Sequence, residues 1–359
     1  MIPVYRPSIT DLEKKYVMDC MESSWISSKG EYIDLFEGSF KEKTGIGNAT
    51  SVCNGTVALH LAMLSLGIGE GDEVIVPSLT YIASVNAITY VGAKPVFADS
   101  LLQSWQLDPK SVLEKITSRT RAIMVVHLYG QSCDMDSLRK IADDHNLFII
   151  EDCAEAFGTT FNGIHAGNIG DIATFSFFGN KTITTGEGGM VASNNKDLLD
   201  KVVRLKSQGL AAGRQYWHDI VGYNYRMTNL ACAIGLAQIQ RSEEIMSKKL
   251  YIADRYRKAF NESRFIFHEE VPETHHSYWM CSILVPENIN RDELASYLLS
   301  KGIETRPVFY PVHTMPIYEA SDTLVGAETI SKLGINLPSF PDLTDDQISY
   351  ITNTILEYP

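Results

Sequence analysis

The sequence predicts an α/β protein in which helices cover both faces of a large, mostly parallel sheet. Short, nearly continuous runs rich in Val and Ile recur along the first two-thirds of the chain, each bounded by Gly, Pro or Asp. Such runs are typical of strands that are buried on both faces. Helical stretches separate them, which favours a doubly wound arrangement. The pattern changes after about Gly222 and indicates a second, smaller domain.

In the first part of the chain, predicted helices alternate with predicted strands. Thr56–Leu66 has apolar residues at helical spacing and predicts a buried helix, and Asp136–His145 predicts a helix between two strands. The predicted strands are Glu73–Val76, Pro95–Ala98, Ala122–His127, Phe148–Glu151 and Ile172–Phe177.

The last third predicts a smaller α+β unit. Thr228–Met246 indicates a long helix that continues through Lys249–Phe260. We therefore expect a large domain of residues 1–244 and a small C-terminal domain of residues 245–359. The further predicted elements of the small domain are the strands Tyr278–Val285 and Glu304–Val308 and the helix Arg291–Lys301.

Composition excludes several classes of function. A net charge of −13 argues against nucleic acid as a partner, because nucleic acid demands a basic surface. No apolar run reaches the roughly 18 residues of a membrane span, and the first residues lack the basic and apolar regions of a secretory signal. We therefore expect a cytoplasmic protein without a membrane partner. The spacing of the six cysteines suits neither a zinc site nor a disulfide framework, so no metal is expected.

The most informative segment is Thr174–Met190, TFSFFGNKTITTGEGGM. An apolar run ends in Gly179 and Asn180, and Lys181 follows with no second cation nearby. A lysine held among apolar neighbours has a lowered pKa and can attack a carbonyl as an amine. A lysine at a strand–loop junction can also simply extend its head to water, and this segment alone does not decide between the two.

Polar residues follow several predicted strands, where ligands bind in α/β sheets. Asn54, Gly55 and Thr56 precede the buried helix, so their backbone N–H groups and hydroxyl form either a phosphate site or an ordinary helix cap. Asp152 ends the strand FIIED and needs a cationic or hydrogen-bonding partner, such as a protonated pyridine nitrogen, unless it only caps a helix. Glu155 lies near it if this segment is helical.

Two further residues complete the set. Tyr81 follows the strand EVIV and is either a stacking partner for an aromatic cofactor or a partly buried side chain. Ser176 either binds phosphate or points between packed elements. Together the candidates supply phosphate donors, a stacking ring, an acid for a ring nitrogen and an amine for a Schiff base. A pyridoxal phosphate enzyme needs these parts.

From Pro3 to about Ile355 the chain resembles the DegT/StrS family of sugar aminotransferases, which have the aspartate aminotransferase fold type. The resemblance implies pyridoxal 5'-phosphate as cofactor, L-glutamate as amino donor, a nucleotide-sugar acceptor and ping-pong kinetics. The segments that carry it are NGTVALHLA, GDEVIVPSLTYIASVNAI, HLYGQSCDM, IEDCAEAFG, FSFFGNKTITTGEGGM, YWHDIVGYNYRMTNL and ETRPVFYPVHTMP.

The resemblance also implies roles for individual residues. Lys181 would bond to the cofactor, Asp152 would pair with its pyridine nitrogen, and Tyr81 would stack on its ring. Glu155 would lie near the ring hydroxyl, where many relatives have Gln.

The resemblance assigns the cofactor phosphate to residues from two chains. Gly55, Thr56 and Ser176 would hold it. Asn224, in GYNYRMTN, would reach the phosphate bound by a neighbouring subunit. We therefore expect a homodimer or larger homo-oligomer with shared active sites.

Three segments, WISSKGEY, GNKTITTGEGG and YWHD, resemble a subgroup that aminates C4 of GDP-4-keto-6-deoxy-D-mannose, a step towards O-antigen polysaccharide. We expect this substrate here. Structural roles are the alternative for several candidates, since Trp25 can belong to the core and His313 can shape a loop. The candidate substrate-binding residues are Trp25, Ser27, Ser28, Lys29, Arg306, Tyr310 and His313.

Three alternatives stay open at this point. The acceptor can be another UDP- or dTDP-keto-sugar. The protein can be a dehydratase, although family members with that chemistry have His in place of the lysine, which argues against it here. The protein can also be a non-catalytic binding protein that has kept the fold, against which the intact Lys181, Asp152 and Ser176 argue.

Overall fold

A seven-stranded sheet forms the centre of the first two-thirds of the chain in the computed structural model, which describes residues 1–359. The strands are β1 (Asn48–Val52), β2 (Glu73–Pro77), β3 (Lys94–Ala98), β4 (Thr120–Val126), β5 (Phe148–Asp152), β6 (Thr160–Phe161), β7 (Ile164–His165), β8 (Ile172–Ser176), β9 (Gly189–Ser193), β10 (Ile266–Phe267), β11 (Thr274–His275), β12 (Cys281–Leu284), β13 (Arg306–Pro307) and β14 (Gly334–Leu337). The helices are α1 (Asp11–Ser23), α2 (Glu31–Thr44), α3 (Gly55–Ser65), α4 (Ile82–Tyr90), α5 (Pro109–Glu114), α6 (Met135–His145), α7 (Lys196–Lys206), α8 (Asn229–Gln240), α9 (Ser242–Phe260), α10 (Arg291–Ser300), α11 (Val325–Leu333) and α12 (Asp345–Leu356).

The order of the strands confirms the predicted α/β class. The large sheet runs β1-β9-β8-β5-β4-β2-β3, and only β9 is antiparallel to its neighbours. Side chains alternate between the two faces of a strand. In β2, Val74 and Val76 therefore pack with α3 and α4 on one face, while Ile75 packs with α6 on the other.

A second core lies in the last third of the chain. Strands β10, β12, β14 and β13 form an antiparallel sheet, against which α9, α10 and α12 pack. The N-terminal residues reach this core, because Ile2 bridges Ile303 and the N–H of Val4 donates to Glu304. The predicted boundary after residue 244 falls in the first turn of α9 and stays a prediction. No helix combines the length and apolar character needed to cross a bilayer.

The structure divides one predicted element and contains strands in the central sheet that were not predicted. The helix predicted to run without interruption from Thr228 is divided at Arg241, whose guanidinium lies 2.8 Å from the buried carboxylate of Glu13. Strands β1 and β9 were not predicted, because their sequences, NATSV and GMVAS, lack the dense Val and Ile content of the other strands.

One buried cation joins three segments of the structure. Lys249, in α9, is almost completely buried, and its amine donates to the carbonyl oxygens of Trp279 (3.1 Å) and Ser339 (2.9 Å). No carboxylate forms an ion pair with it, and burial lowers its pKa to about 8. Its charge is therefore stabilised by these carbonyl dipoles and by the ring of Tyr5, whose centroid lies 5.5 Å from the amine.

We predict that Lys249 makes wild-type stability rise with pH relative to Lys249→Met. The unfolded chain holds the proton up to its ordinary pKa of 10.5, whereas the folded chain releases it near 8. Below pH 8 the buried charge therefore lowers the free energy of unfolding by its full amount. This loss of stability becomes smaller as the pH rises from 8 towards 10.5. Between pH 7 and pH 10, urea unfolding should show the free-energy difference between the two proteins change by about 2–3 kcal/mol in favour of wild type. The hydrogen bonds lost in the variant cancel in this comparison, and a difference independent of pH would contradict the prediction.

Candidate active site

A cavity of about 490 Å³ opens at the carboxyl ends of the parallel strands, and residues of the C-terminal third close one side of it. This position follows from the fold, since strand ends at one edge of a sheet bring their following loops together. The predicted site residues that line the cavity are Gly55, Thr56, Tyr81, Asp152, Glu155, Ser176, Lys181 and Arg306.

One end of the cavity is suited to an anion. Asn54 caps helix α3 by accepting a hydrogen bond from the N–H of Val57 at 3.0 Å. A Cβ atom at Gly55 would lie 2.8 Å from Cβ of Ser176, so only glycine lets that hydroxyl approach the helix start. Ser176 donates no hydrogen bond within the protein. With the hydroxyl of Thr56, the helix N-terminus and Ser176 form a set of donors for a phosphate group.

Asp152 lies at the end of β5 and is buried. Its Oδ2 accepts a hydrogen bond from the hydroxyl of Ser84 at 2.7 Å, and its Oδ1 accepts one from the N–H of Ala154 at 3.0 Å. Burial raises the pKa of Asp152 above its ordinary value, against the effect of these donors. The carboxylate has capacity for a further, cationic partner, such as a protonated ring nitrogen.

The neighbouring carboxylate of Glu151 has a different role. Successive side chains of a strand point to opposite faces, so Glu151 points away from the cavity that Asp152 lines. It accepts hydrogen bonds from Nε2 of His127 (2.9 Å) and from the N–H groups of Gly167 (2.7 Å) and Ile169 (2.9 Å). Glu151 is thus satisfied within the protein and anchors the end of β5.

Lys181 follows β8 and extends its amine into the cavity. Its Nζ lies 3.5 Å from Oε1 of Glu155 and 3.8 Å from the ring centroid of Trp279. Burial lowers the pKa of Lys181. Burial also raises the pKa of Glu155 to about 7, although the N–H of Tyr129 donates to its other oxygen at 2.8 Å. The amine therefore loses its proton, and the carboxyl gains one, closer to neutral pH than either would in water.

An aromatic ring borders the open side of the cavity. Tyr81 stands at the start of α4, is 57% exposed, and lies 5.6 Å from the ring of Phe309 between centroids. An exposed ring at a cavity wall is available to stack on a planar ligand.

The remaining predicted residues lie outside this cavity. His313 is buried, with Nδ1 accepting from Ser78 Oγ at 2.6 Å and Nε2 facing Glu328 at 3.3 Å, so within this chain it fixes a loop. Asn224 accepts a hydrogen bond from Arg226 at 3.0 Å. Their ligand-binding roles stay predictions. The full set outside the cavity is Trp25, Ser27, Ser28, Lys29, Asn224, Tyr310 and His313.

Four aromatic residues of the cavity wall were not predicted as site residues: Tyr129, Phe178, Trp279 and Phe309. Tyr129 follows β4 at the carboxyl edge of the sheet, and that position is the signal that could have identified it. Trp279 precedes β12 in an apolar stretch that resembles a buried strand, and it reaches the cavity only through the packing of the C-terminal third. Phe309 had no sequence signal of its own.

Known proteins resemble this chain over its whole length. It is 57% identical over 358 residues to a GDP-perosamine synthase of Escherichia coli O157:H7, covering 99% of this chain and 98% of that protein. It is 53% identical to a GDP-perosamine synthase of Vibrio cholerae, covering 100% and 99% of the two chains. Among solved structures, the PLP form of Spr1654 from Streptococcus pneumoniae superposes with a TM-score of 0.94 at 27% identity, covering 99% and 97%.

A model of the DegT/DnrJ/EryC1/StrS aminotransferase family matches residues 7–356. The match spans the central sheet, the cavity and the C-terminal core. The chain therefore belongs to the DegT/DnrJ/EryC1/StrS aminotransferase family.

Proposed function

We propose that this protein transfers the amino group of L-glutamate to C4 of GDP-4-keto-6-deoxy-D-mannose, giving GDP-perosamine and 2-oxoglutarate. The protein is a pyridoxal phosphate-dependent sugar aminotransferase. The observation that carries the proposal is the amine of Lys181, which shares one cavity with a set of phosphate donors and the buried carboxylate of Asp152. The identity of more than half of all residues to a GDP-perosamine synthase supports the choice of substrate.

The cavity fits pyridoxal phosphate by the chemistry of its donors. Gly55, Thr56 and Ser176 would hold the phosphate, for which the absence of a Cβ at Gly55 leaves room. Asp152 would hold the ring nitrogen, and Tyr81 would cover the ring. When bound, the cofactor supplies an aldehyde that condenses with amines and a ring that accepts electrons.

The proton transfers of the reaction fall to two groups of this chain. Lys181 lines the cavity and has a lowered pKa, so a neutral amine would be available to take a proton from a substrate carbon and return it. Glu155, whose pKa is raised to about 7, lies 3.5 Å from that amine and would hold a proton beside it. Burial of both groups excludes competing water.

Arg306 is the residue we assign to the negatively charged part of the substrate. It lines the cavity, its side chain is 52% exposed, and its only ion pair is a loose contact of 3.6 Å with Glu304. A guanidinium with free donors binds carboxylate or phosphate oxygens well.

We infer that a second copy of the chain completes each site. Large apolar side chains are exposed in two segments near the residues that lie outside the cavity: Trp25 is 54% exposed, Tyr216 is 84% exposed and Val221 is 85% exposed. A cluster of exposed apolar groups, such as Tyr216, Trp217, Ile220 and Val221 in one loop, is typical of a protein–protein contact. A homodimer would cover them and would bring Lys29 and Asn224 to the partner's cavity.

The first prediction about function tests the substrate. Offered GDP-, UDP- and dTDP-linked 4-keto-6-deoxy sugars with nitrogen-labelled L-glutamate, the protein should place the label on C4 of the GDP-linked mannose derivative, as mass spectrometry would show. Lys181→Ala, checked for folding by circular dichroism, should give no labelled sugar. Preferred labelling of a UDP- or dTDP-sugar would overturn the proposed substrate, and a deoxy product without nitrogen would show a dehydratase.

A second prediction concerns Asp152→Asn. The amide keeps the shape, can still accept from the N–H of Ala154 and can donate to the hydroxyl of Ser84, but it removes the charge that the ring nitrogen requires. A charged hydrogen bond in a dry site contributes about 1.5–3 kcal/mol, so turnover should fall about ten- to a hundredfold or more while the protein still binds cofactor. Asp144→Asn, an exposed residue paired with Lys140, is the matched control. Turnover within threefold of wild type would show that Asp152 has only a structural role.

A third prediction tests the shared site. Lys181→Ala and Asn224→Asp are each expected to be inactive, the second because a carboxylate repels phosphate. If Asn224 acts in the partner's site, a mixed dimer has one site with both lesions and one with neither, so mixing the variants should restore part of the activity. Light scattering and subunit-exchange assays are the controls. Proven exchange without recovery would argue against a shared site.

A further inference from the structure

An indole ring from the C-terminal third lies directly on the amine of Lys181. The Nζ atom is 3.8 Å from the ring centroid of Trp279, within the range of a cation–π contact. Trp279 is 4% exposed and lines the cavity. The amine therefore has a carboxylate, Glu155, at 3.5 Å and an aromatic face at similar distance.

The ring is held in place by three separate contacts. Its Nε1–H donates to the carbonyl oxygen of Asn180 at 2.7 Å, which ties the ring to the residue before Lys181. Tyr129 stacks on it, with centroids 5.9 Å apart and planes within 8°. Lys249 donates a hydrogen bond to the backbone carbonyl oxygen of Trp279 at 3.1 Å, which fixes the main chain that carries the ring. These contacts restrict the movement of the indole. The fold therefore determines where the ring presents its face to the amine.

A rigid aromatic face has a specific effect on a buried ammonium group. Burial disfavours the charged form of Lys181, while Glu155 and Asp152, the titratable groups that face it, favour that form. The negative face of the indole adds attraction for the cation without adding a group that can take its proton. Replacing the ring by an aliphatic side chain would remove this attraction and leave the cation beside apolar surface.

We propose that Trp279 is a positioning residue for transamination, whose π face holds the Lys181 amine over the cavity and stabilises it while it carries a proton. The proposal rests on the proposed function, because only a lysine that moves protons needs such a support. The contact itself can be tested without the reaction.

The test measures the pKa of Lys181 in the cofactor-free protein. Acylation rates across pH, followed by peptide mass spectrometry, report each lysine separately, with exposed Lys140 as internal reference. Trp279→Leu should lower the Lys181 pKa by about one unit, the shift expected for loss of a desolvated cation–π contact. Trp279→Phe keeps an aromatic face and should shift it less. With cofactor and substrates, turnover of Trp279→Leu should fall at least about tenfold.

A second measurement does not depend on folding of these variants. Replacing the tryptophans by increasingly fluorinated tryptophan keeps the shape of the ring and weakens its negative face. The Lys181 pKa should then fall step by step while that of Lys140 stays constant. The proposal would be overturned if the Lys181 pKa changed neither with fluorination nor in Trp279→Leu. Unchanged turnover of Trp279→Leu would also overturn it. The pKa is measured without substrate. A negative result with the panel of nucleotide sugars would therefore contradict the proposed substrate but not the contact between Trp279 and Lys181.

Discussion

Withdrawal of three ionisable groups from water at one edge of the central sheet is the constraint on which the site depends. Asp152, Glu155 and Lys181 all line the same cavity; the two carboxylates are buried, and the side chain of Lys181 is 14% exposed. Each charge removed from water costs several kcal/mol unless a partner compensates for it. The surrounding elements supply partial compensation: Ser84 from α4 donates to Asp152, and the backbone of Tyr129 donates to Glu155. The compensation is incomplete. The pKa values of Asp152 and Glu155 are raised and that of Lys181 is lowered, so burial favours the neutral form of each group.

The incomplete compensation of the Asp152 charge contrasts with the other face of the same strand, where Glu151 lies. Glu151 and Asp152 are adjacent carboxylates on one strand, and the alternation of side chains sends them to opposite faces. The protein satisfies Glu151 with an imidazole and several backbone N–H groups, while Asp152 receives only two neutral donors. One carboxylate therefore stabilises the strand end, and the other keeps capacity for a cationic ligand.

Much of the fold could be predicted from the sequence, and so could the part of the site that follows the strands of the large sheet. Both depend on short stretches of sequence. Strands buried on both faces must be apolar throughout, so β2, β4 and β5 stand out, whereas β1 and β9, with Ser, Asn and Gly, do not. Lys181 stands out for the same reason, as a lone cation after an apolar strand. His313 shows the limit: the sequence leaves both substrate binding and loop shaping open. In this chain Ser78 and Glu328 lie at its two ring nitrogens, and its substrate-binding role stays a prediction.

The cavity wall formed by the C-terminal third depends on contacts between parts of the chain that are distant in sequence. Trp279 is nearly one hundred residues from Lys181, and nothing beside it distinguishes it from a core residue. Its orientation is set by Asn180, Tyr129 and Lys249, which belong to three other segments of the chain. The C-terminal core thus does more than cover the cavity. It delivers the aromatic face against which the amine rests, so any movement of that core relative to the large sheet would change the environment of Lys181. The site is, for this reason, a property of the joined halves of the chain and not of the sheet alone.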